Sequence, residues 1–342
     1  MKALVLEQYN RFAYEEVPEP ELAVGEVLIE VKACGICGSD VHGMDGSTGR
    51  RQPPIIMGHE AAGLIAKVGE RVEGWEPGQR VTFDSTIYCG DCRHCRRGEI
   101  NLCDNRRVLG VSCAEYRQNG AFAEYVAVPS RILYPLPEAV SFSQAAMVEA
   151  LSIAVHGVGR AAVRLNDSAL VVGAGNIGLL AVQVLKAAGC QPVMAADVDG
   201  GRLARARELG ADIVINSQKE DVGPEVRRHV AGGVDVAVEA VGIGAAVKDA
   251  VAGLRKGGIL SLIGNVNPTV EFPLQSVVTR EISVNGSCAS RGEYPTCLDL
   301  IARGVVDVDS MISATAPLAE GAAWFERLYR REPGLMKVIL LP

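Results

Sequence analysis

No apolar run in this sequence is long enough to cross a bilayer with ease. The longest apolar stretch free of charge, Ala169 to Leu185, has 17 residues, at the short limit for a span. It contains Gly173, Gly175, Asn176 and Gly178, and its periodicity changes partway from strand to helix, so no membrane role is expected. Positive charge is also in deficit. With 34 Lys and Arg against 41 Asp and Glu, the net charge is −7, so the molecule repels polyanions, and a nucleic-acid or anionic-membrane partner would need a local basic face. The scattered charges from Ala316 to Pro342 supply none. Met1-Lys2 leads into only Ala3 to Leu6 before Glu7, too little apolar core for a signal peptide. The ten cysteines are therefore expected as thiols in a reducing cytoplasm. Repeats of solenoid length and low-complexity segments are missing too. What remains is ordinary globular material: 48% hydrophobic and 22% charged residues, in a length of 342 residues that suits two domains.

Short strands separated by turn clusters fill the first 140 or so residues: Lys2 to Leu6, Glu26 to Ala33, Ala61 to Val68, Arg80 to Phe83 and Ala121 to Val128. They predict an irregular β-rich domain. From Ser168 apolar runs alternate with helical patterns: Ala169 to Val172, Ile177 to Ala188, Val193 to Asp197, Gly201 to Leu209 and Ile213 to Ile215 make one βαβαβ half. A second half has strands at Val234 to Glu239, Ile259 to Ile263 and Ile282 to Asn285, with helices near Gly244 to Leu254 and Leu274 to Arg280. Six strands in two halves predict a doubly wound parallel sheet of the Rossmann type. Helical patterns at Pro295 to Ala302 and Leu318 to Arg331 and a strand at Lys337 to Leu341 are expected to return to the first domain. The expected division is 1–150 with 289–342, and 151–288.

Gly173-Ala-Gly175-Asn176-Ile177-Gly178 ends a strand and opens a helix, the setting in which a glycine loop binds a dinucleotide. Gly173 makes the turn, Gly175 lets a pyrophosphate approach the backbone, and Gly178 lets the helix pack on the sheet. Asp197, ending the next strand, is placed to accept hydrogen bonds from an adenosine ribose. Against a 2′-phosphate, a carboxylate at about 4 Å in an effective dielectric near 20 is opposed by roughly 4 kcal/mol, about a thousandfold at most. NAD is thus expected over NADP, with Arg202, five residues on, as a partial offset.

Cys89, Cys92 and Cys95, followed by Cys103, put four thiols in a short polar loop. This spacing fits a closed tetrahedral zinc site that replaces a core the loop is too small to form. An iron-sulfur cluster and free thiols are the chemical alternatives. Arg93, Arg96, Arg97, Arg106 and Arg107 against Asp91, Glu99 and Asp104 give the loop a local excess of two positive charges, which keeps a zinc-ribbon nucleic-acid module in view. A second set of ligand types lies at Cys37-Gly-Ser39-Asp40-Val-His42 and Gly58-His59-Glu60, where a thiolate, an imidazole and a carboxylate could hold a metal with an open position. On spacing alone, a buried small cysteine and an ordinary histidine fit equally well.

GICGSDVHG at Gly35 to Gly43, GHEAAG at Gly58 to Gly63, the four-cysteine lobe, NGAFAEY at Asn119 to Tyr125 and GAGNIG at Gly173 to Gly178 resemble the zinc-containing medium-chain dehydrogenases from end to end. Glu149, in MVEALSIAVHG, resembles the polyol (sorbitol-type) branch. The resemblance implies a GroES-like catalytic domain beside the Rossmann domain, and two zinc ions per chain with NAD. It implies catalytic zinc on Cys37 and His59, with Glu60 and Glu149 ligating or holding the metal's water. It further implies a proton relay through Ser39 and His42, and a nicotinamide carboxamide seated near Ile263, Gly264 and Asn265. The second zinc falls on the four cysteines and is structural. Ala150 stands where the branch usually has proline, and the substrate-side arginine of sorbitol enzymes falls near Ala289, with Arg291 two positions away.

The expected reaction is hydride transfer from a secondary alcohol of a sugar alcohol to NAD, giving a ketose. A phosphorylated sugar alcohol, a vicinal diol or an amino alcohol such as threonine is the alternative substrate. Arg50 and Arg51 read as a solvated turn or, if they reach the substrate, as a clamp for a terminal phosphate. Glu149 interrupts the apolar helical stretch Ala145 to Val155, where a buried carboxylate needs a partner; otherwise it points to solvent. The expected partner is a small-molecule alcohol, with no nucleic acid and no membrane, and the chain is expected to be a homo-oligomer, dimer or tetramer.

Overall fold

A computed structural model describes residues 1–113 and 116–342. It divides into two compact units, one of residues 1–149, 294–302 and 308–342, the other of residues 150–293 and 303–307. The segments 289–293 and 303–307, expected with the first unit, cluster with the second. Two polar contacts explain this: the Gln183 side chain pairs both ways with the Asp307 backbone, at 2.7 and 3.1 Å, and His156 Nδ1 lies 2.7 Å from Glu293.

The first unit is built on a seven-stranded sheet. Its order is Leu133–Pro135, Arg80–Phe83, Glu60–Val68, Glu26–Gly35, Lys337–Leu341 and Ile312–Pro317, with Tyr125–Pro129 also on Glu26–Gly35. A hairpin of Lys2–Gln8 and Arg11–Glu16 joins Ile55–Ile56 alongside. The strand Arg11–Glu16 and the strand Ile312–Pro317 are additions to the sequence reading. RFAYEE alternates, but its polar positions are charged, so it resembles a surface loop until its partner strand is seen. Leu4, Ile29, Met57, Phe122 and Phe325 are fully buried in this unit's core, where Phe122 meets Phe325 edge-on at 5.7 Å.

The position of the candidate site follows from register. Gly35, at the end of its strand, pairs with Glu60, at the start of the next, and Ile339 pairs with Gly35 from the other side. Ile36 continues this edge, donating to Val338 at 2.9 Å. Cys37, Glu60 and Lys337 therefore converge at one end of the sheet although Lys337 lies 277 residues beyond Glu60.

The second unit is a parallel sheet of six strands with the order Ile213–Asn216, Val193–Asp197, Ala169–Val172, Val234–Glu239, Leu254–Leu262 and Ser283–Gly286, as the two apolar halves predicted. The strand order reverses between Ala169–Val172 and Val234–Glu239, the point where ligands bind at the carboxyl ends of such sheets. One crossover helix, Val222–His229, escaped the sequence reading because Gly223 and Pro224 in its first turn read as a loop. No helix among the described residues is long and apolar enough to cross a membrane.

Candidate metal centres and dinucleotide loop

Cys89, Cys92, Cys95 and Cys103 place their sulfurs within 4.8 Å of one another. The separations are 3.9 Å for Cys89 and Cys95, 3.5 Å for Cys92 and Cys95, and 3.4 Å for Cys89 and Cys103. A tetrahedron with zinc-sulfur bonds of about 2.3 Å has edges of about 3.8 Å, so the four thiols fit the ion. The proton equilibria agree. Cys92 is drawn down to about 6, chiefly by the backbone N–H groups of Cys95 and Asp104, while burial pushes Cys95 up to about 12. Burial likewise raises Cys103, so Cys92 gives up its proton more readily than Cys95 and Cys103, and a cation joining the cluster favours release from those two.

The second set also assembles: Cys37, His59 and Glu60 have ligand atoms within 4.8 Å. Cys37 caps the helix Gly38–Gly43, and Glu60 has room for its carboxylate because residue 35 is glycine, where a Cβ would lie too close to Glu60 Oε2. Glu60 Oε2 accepts from the buried Lys337 Nζ at 2.5 Å, and Lys337 also donates to the Ile36 carbonyl at 3.3 Å. Glu60 Oε1 is buried and has no hydrogen-bond partner among the described residues, an acceptor left over where the sulfur and the imidazole meet. Burial alone would lower the pKa of His59, but Asp40 and Cys37 outweigh it and raise it well above the usual histidine range. The negative surroundings that keep a proton there suit a divalent cation equally.

Glu149 is half-buried at the start of the helix Val148–Arg160, and Ser85 Oγ donates to its Oε1 at 3.1 Å. Burial pushes Glu149 up to about 7, with Glu60 and Asp84 adding to the effect and His59 and Lys337 opposing it. It stands outside the three-residue ligand group. Ser39 and His42 are both exposed on the helix Gly38–Gly43, with no hydrogen bond between them among the described residues.

Asp40 and Arg51 were not anticipated as they stand. Asp40 is completely buried, with Oδ1 at 2.7 Å from Arg51 Nη2 and Oδ2 at 3.5 Å from His59 Nδ1. Arg51 is only 3% exposed, so it is neither a solvated turn residue nor a group free to clamp phosphate; Arg50 is exposed. In the sequence, Asp40 stands among the ligand-type residues between Cys37 and His42, and nothing local indicates that it pairs with Arg51.

In the second unit the glycine loop has the geometry a pyrophosphate needs. Gly173 has φ +97°, and a Cβ on Gly178 would lie 1.7 Å from the Gly173 carbonyl oxygen. A Cβ on Gly175 would meet nothing within 4 Å, and no side chain caps the helix Asn176–Ala187 that Gly175 opens, so its N–H groups are available to an anion. The helix begins with Asn176 and Ile177. Asp197 accepts from Ala174 N–H at 2.6 Å and Asp199 N–H at 2.9 Å, and each carboxylate oxygen keeps further acceptor capacity for a ribose. Arg202 is exposed, with its backbone N–H on Asp199. Ile263 and Gly264 donate to the Glu239 carbonyl at 2.9 and 3.1 Å, and a Cβ on Gly242 would lie 2.3 Å from Asn265 N. Glu239 itself, fully buried at the carboxyl end of its strand, accepts from Val241 and Gly242; sequence reasoning passed over it.

Asp197→Ala is expected to raise the relative efficiency with NADP by up to about three decades, the bound set by one carboxylate facing a 2′-phosphate. Steady-state kinetics with both dinucleotides check this, and equal use of NADP by the unaltered chain would contradict it.

Residues 23–138 match the alcohol dehydrogenase GroES-like domain, and residues 176–303 match the zinc-binding dehydrogenase family. The chain is 32% identical over 348 residues to sorbitol dehydrogenase of Bacillus subtilis (strain 168), covering 100% of this chain and 97% of that protein. It is 34% identical to D-arabitol-phosphate dehydrogenase of Enterococcus avium, covering 94% and 91%. A structure from Sinorhizobium meliloti 1021, of a protein assigned to the zinc-binding dehydrogenases and bound to NADP, superposes with a TM-score of 0.90 at 32% identity, covering 100% of this chain and 99% of that one. With both donor sets and the glycine loop in the order the motifs predicted, the chain belongs to the zinc-containing medium-chain dehydrogenases, in their polyol (sorbitol-type) branch.

Proposed function

We propose that the chain oxidises a secondary alcohol of an unphosphorylated polyol to a ketose with NAD. The observation that carries this reading is the three-residue set of Cys37, His59 and Glu60, whose donors lie within 4.8 Å, on a chain that also carries a dinucleotide loop. When bound, zinc would supply Lewis acidity toward an alcohol oxygen and NAD would supply a hydride acceptor. Cys37 and His59 are the residues to hold that metal, and Glu60, anchored by Lys337, presents its second oxygen to them. Glu149, fixed by Ser85, stands as an acceptor beside the set. Ser39 and His42, exposed on one short helix, are the groups to receive the alcohol proton and release it to solvent. Asp197 selects NAD. Ser39, His42 and Glu149 also offer hydrogen bonds to hydroxyls flanking the reacting carbon, and a site built for such bonds discriminates against alcohols that lack them.

The choice of an unphosphorylated substrate rests on Arg51. Its guanidinium is committed to Asp40, which leaves Arg50 alone in that turn and removes the paired clamp a terminal phosphate would favour. A hexitol should show at least about tenfold higher kcat/KM than its phosphate, a difference of about 1.4 kcal/mol. NADH formation across a panel of polyols, polyol phosphates, diols and threonine tests this. Preference for the phosphate, or activity confined to simple primary alcohols, would refute it.

Cys89, Cys92, Cys95 and Cys103 gather as thiols, with sulfurs 3.4, 3.5 and 3.9 Å apart, which supports a reducing, cytoplasmic setting. A homo-oligomer is supported by the second unit's sheet, which ends in the edge strand Ser283–Gly286, and by Val266, Leu274 and Val278, exposed apolar residues in the segment that precedes that strand. Such an edge is a template for pairing with its own copy. Sedimentation should give at least a dimer, and Leu274→Glu/Val278→Glu should shift it toward monomer. A wild-type monomer at micromolar concentration would count against this assembly.

A further inference from the structure

We propose that Arg51 is a positioning residue of the mixed metal set. Its guanidinium holds Asp40, Asp40 orients His59, and the retention of a metal ion by Cys37, His59 and Glu60 depends on that chain of contacts. The inference rests on reading those three residues as a metal centre.

The geometry is specific. Arg51 Nη2 lies 2.7 Å from Asp40 Oδ1 and 3.4 Å from Ser39 Oγ, and Nη1 donates to the Arg50 carbonyl at 3.2 Å. A Cβ on Gly43 would lie 2.6 Å from Arg51 Cγ, so a glycine at the end of the helix Gly38–Gly43 is what lets the arginine run inward. Two positions, eight residues apart, are thus shaped to bring one guanidinium onto one buried carboxylate.

Stability alone is a poor reason for this arrangement. Each buried ion costs several kcal/mol to desolvate, and an apolar pair of the same volume would often serve the fold as well. What the pair supplies is a fixed acceptor. With Oδ1 held by Arg51, Asp40 presents Oδ2, which is buried and makes no hydrogen bond among the described residues, to His59 Nδ1 at the ion-pair distance of 3.5 Å, a placement that favours the ring's other nitrogen for a metal. A group that orients a histidine ligand in this way typically governs metal affinity by 10- to 100-fold, roughly. Ser39 gives a second consequence. Its Oγ lies on the acceptor side of Arg51 Nη2, so its own proton is free to point away.

The four-cysteine site is an internal control. Zinc release from the whole chain, followed with a chromophoric chelator, should resolve into two phases. Arg51→Met should speed the labile phase by about 10- to 100-fold, leave the resistant phase unchanged, and lose turnover that saturating zinc restores. Arg51→Lys, which keeps the charge, should fall between, and millimolar guanidinium should partly rescue Arg51→Ala. Cobalt substituted in the labile site should show altered visible absorption in Arg51→Met. Labile zinc retained within twofold of wild type in Arg51→Met, or both phases lost together in Arg51→Met and Arg51→Lys, would overturn the proposal. A wild-type chain with only the resistant zinc would remove the metal-centre reading itself, a result distinguishable because it is seen before any substitution is made.

Discussion

Cys37→Ser is expected to fold normally and lose at least about three decades of alcohol turnover, whereas Cys92→Ser should lose the folded lobe itself. The contrast follows from what surrounds each sulfur. Around Cys37 the scaffold is held by its own contacts: Glu60 is anchored by Lys337, His59 faces Asp40, and the strands that carry them are paired along the sheet. Losing the thiolate there removes Lewis acidity worth several kcal/mol, and about 4 kcal/mol corresponds to three decades of rate. Around Cys92, by contrast, the only apolar side chain that is buried between Tyr88 and Val108 is Cys103 itself. Only the short strand Arg107–Val108 pairs there, with Thr86–Ile87. An ion that contributes roughly 10–16 kcal/mol in small zinc modules is the lobe's substitute for a core. Zinc per chain, thermal melting and NADH formation on a polyol, measured for both variants, separate the two roles. A Cys37→Ser protein with wild-type turnover would sink the catalytic assignment, and a Cys92→Ser protein with two zinc ions and an unchanged melting temperature would sink the structural one.

Much of this was legible because the chemistry is local. The glycine loop is written in backbone constraints: Gly173 needs its positive φ and Gly178 cannot carry a Cβ, so residue type reports geometry directly. The four cysteines lie within fifteen residues, and spacing alone brings their sulfurs together. The six parallel strands announce themselves as apolar runs because both faces of such a sheet are buried. What stayed hidden depends on partners distant in sequence or on a charge turned inward. Arg51 sits in a run of polar turn residues, where an arginine is ordinarily solvated, and only the fold shows Asp40 beneath it. Glu239 ends an apolar strand with no motif to mark it. Lys337 reads as the first residue of a C-terminal strand, and nothing near it signals that strand register sets it against Glu60.

Lys337→Met is expected to lower stability by about 3–5 kcal/mol, the cost of leaving one buried partner of an ion pair uncompensated. Both members are almost fully buried, and Lys337 Nζ holds Glu60 Oε2 and the Ile36 carbonyl together. At roughly 2–4 °C per kcal/mol for a unit of this size, the melting temperature should fall by about 6–20 °C. Replacing both partners with apolar groups often costs little, so Lys337→Met/Glu60→Leu should recover most of the loss even though it removes a candidate ligand. The pH dependence has a definite sign. Burial alone would lower the Lys337 pKa, but Glu60 and then Cys37 outweigh it, and the net shift is upward from 10.5. A lysine with a raised folded pKa contributes stability that is fully present below its unfolded value and is lost as pH rises through the folded one. The gap in melting temperature between wild type and Lys337→Met should therefore persist from neutral pH to about pH 10 and close only above it. A single variant that melts within 2 °C of wild type, roughly the effect of 1 kcal/mol or less, would show that the pair does not hold this end of the sheet. A double variant no more stable than the single one would show that Lys337 acts through packing and not through its charge.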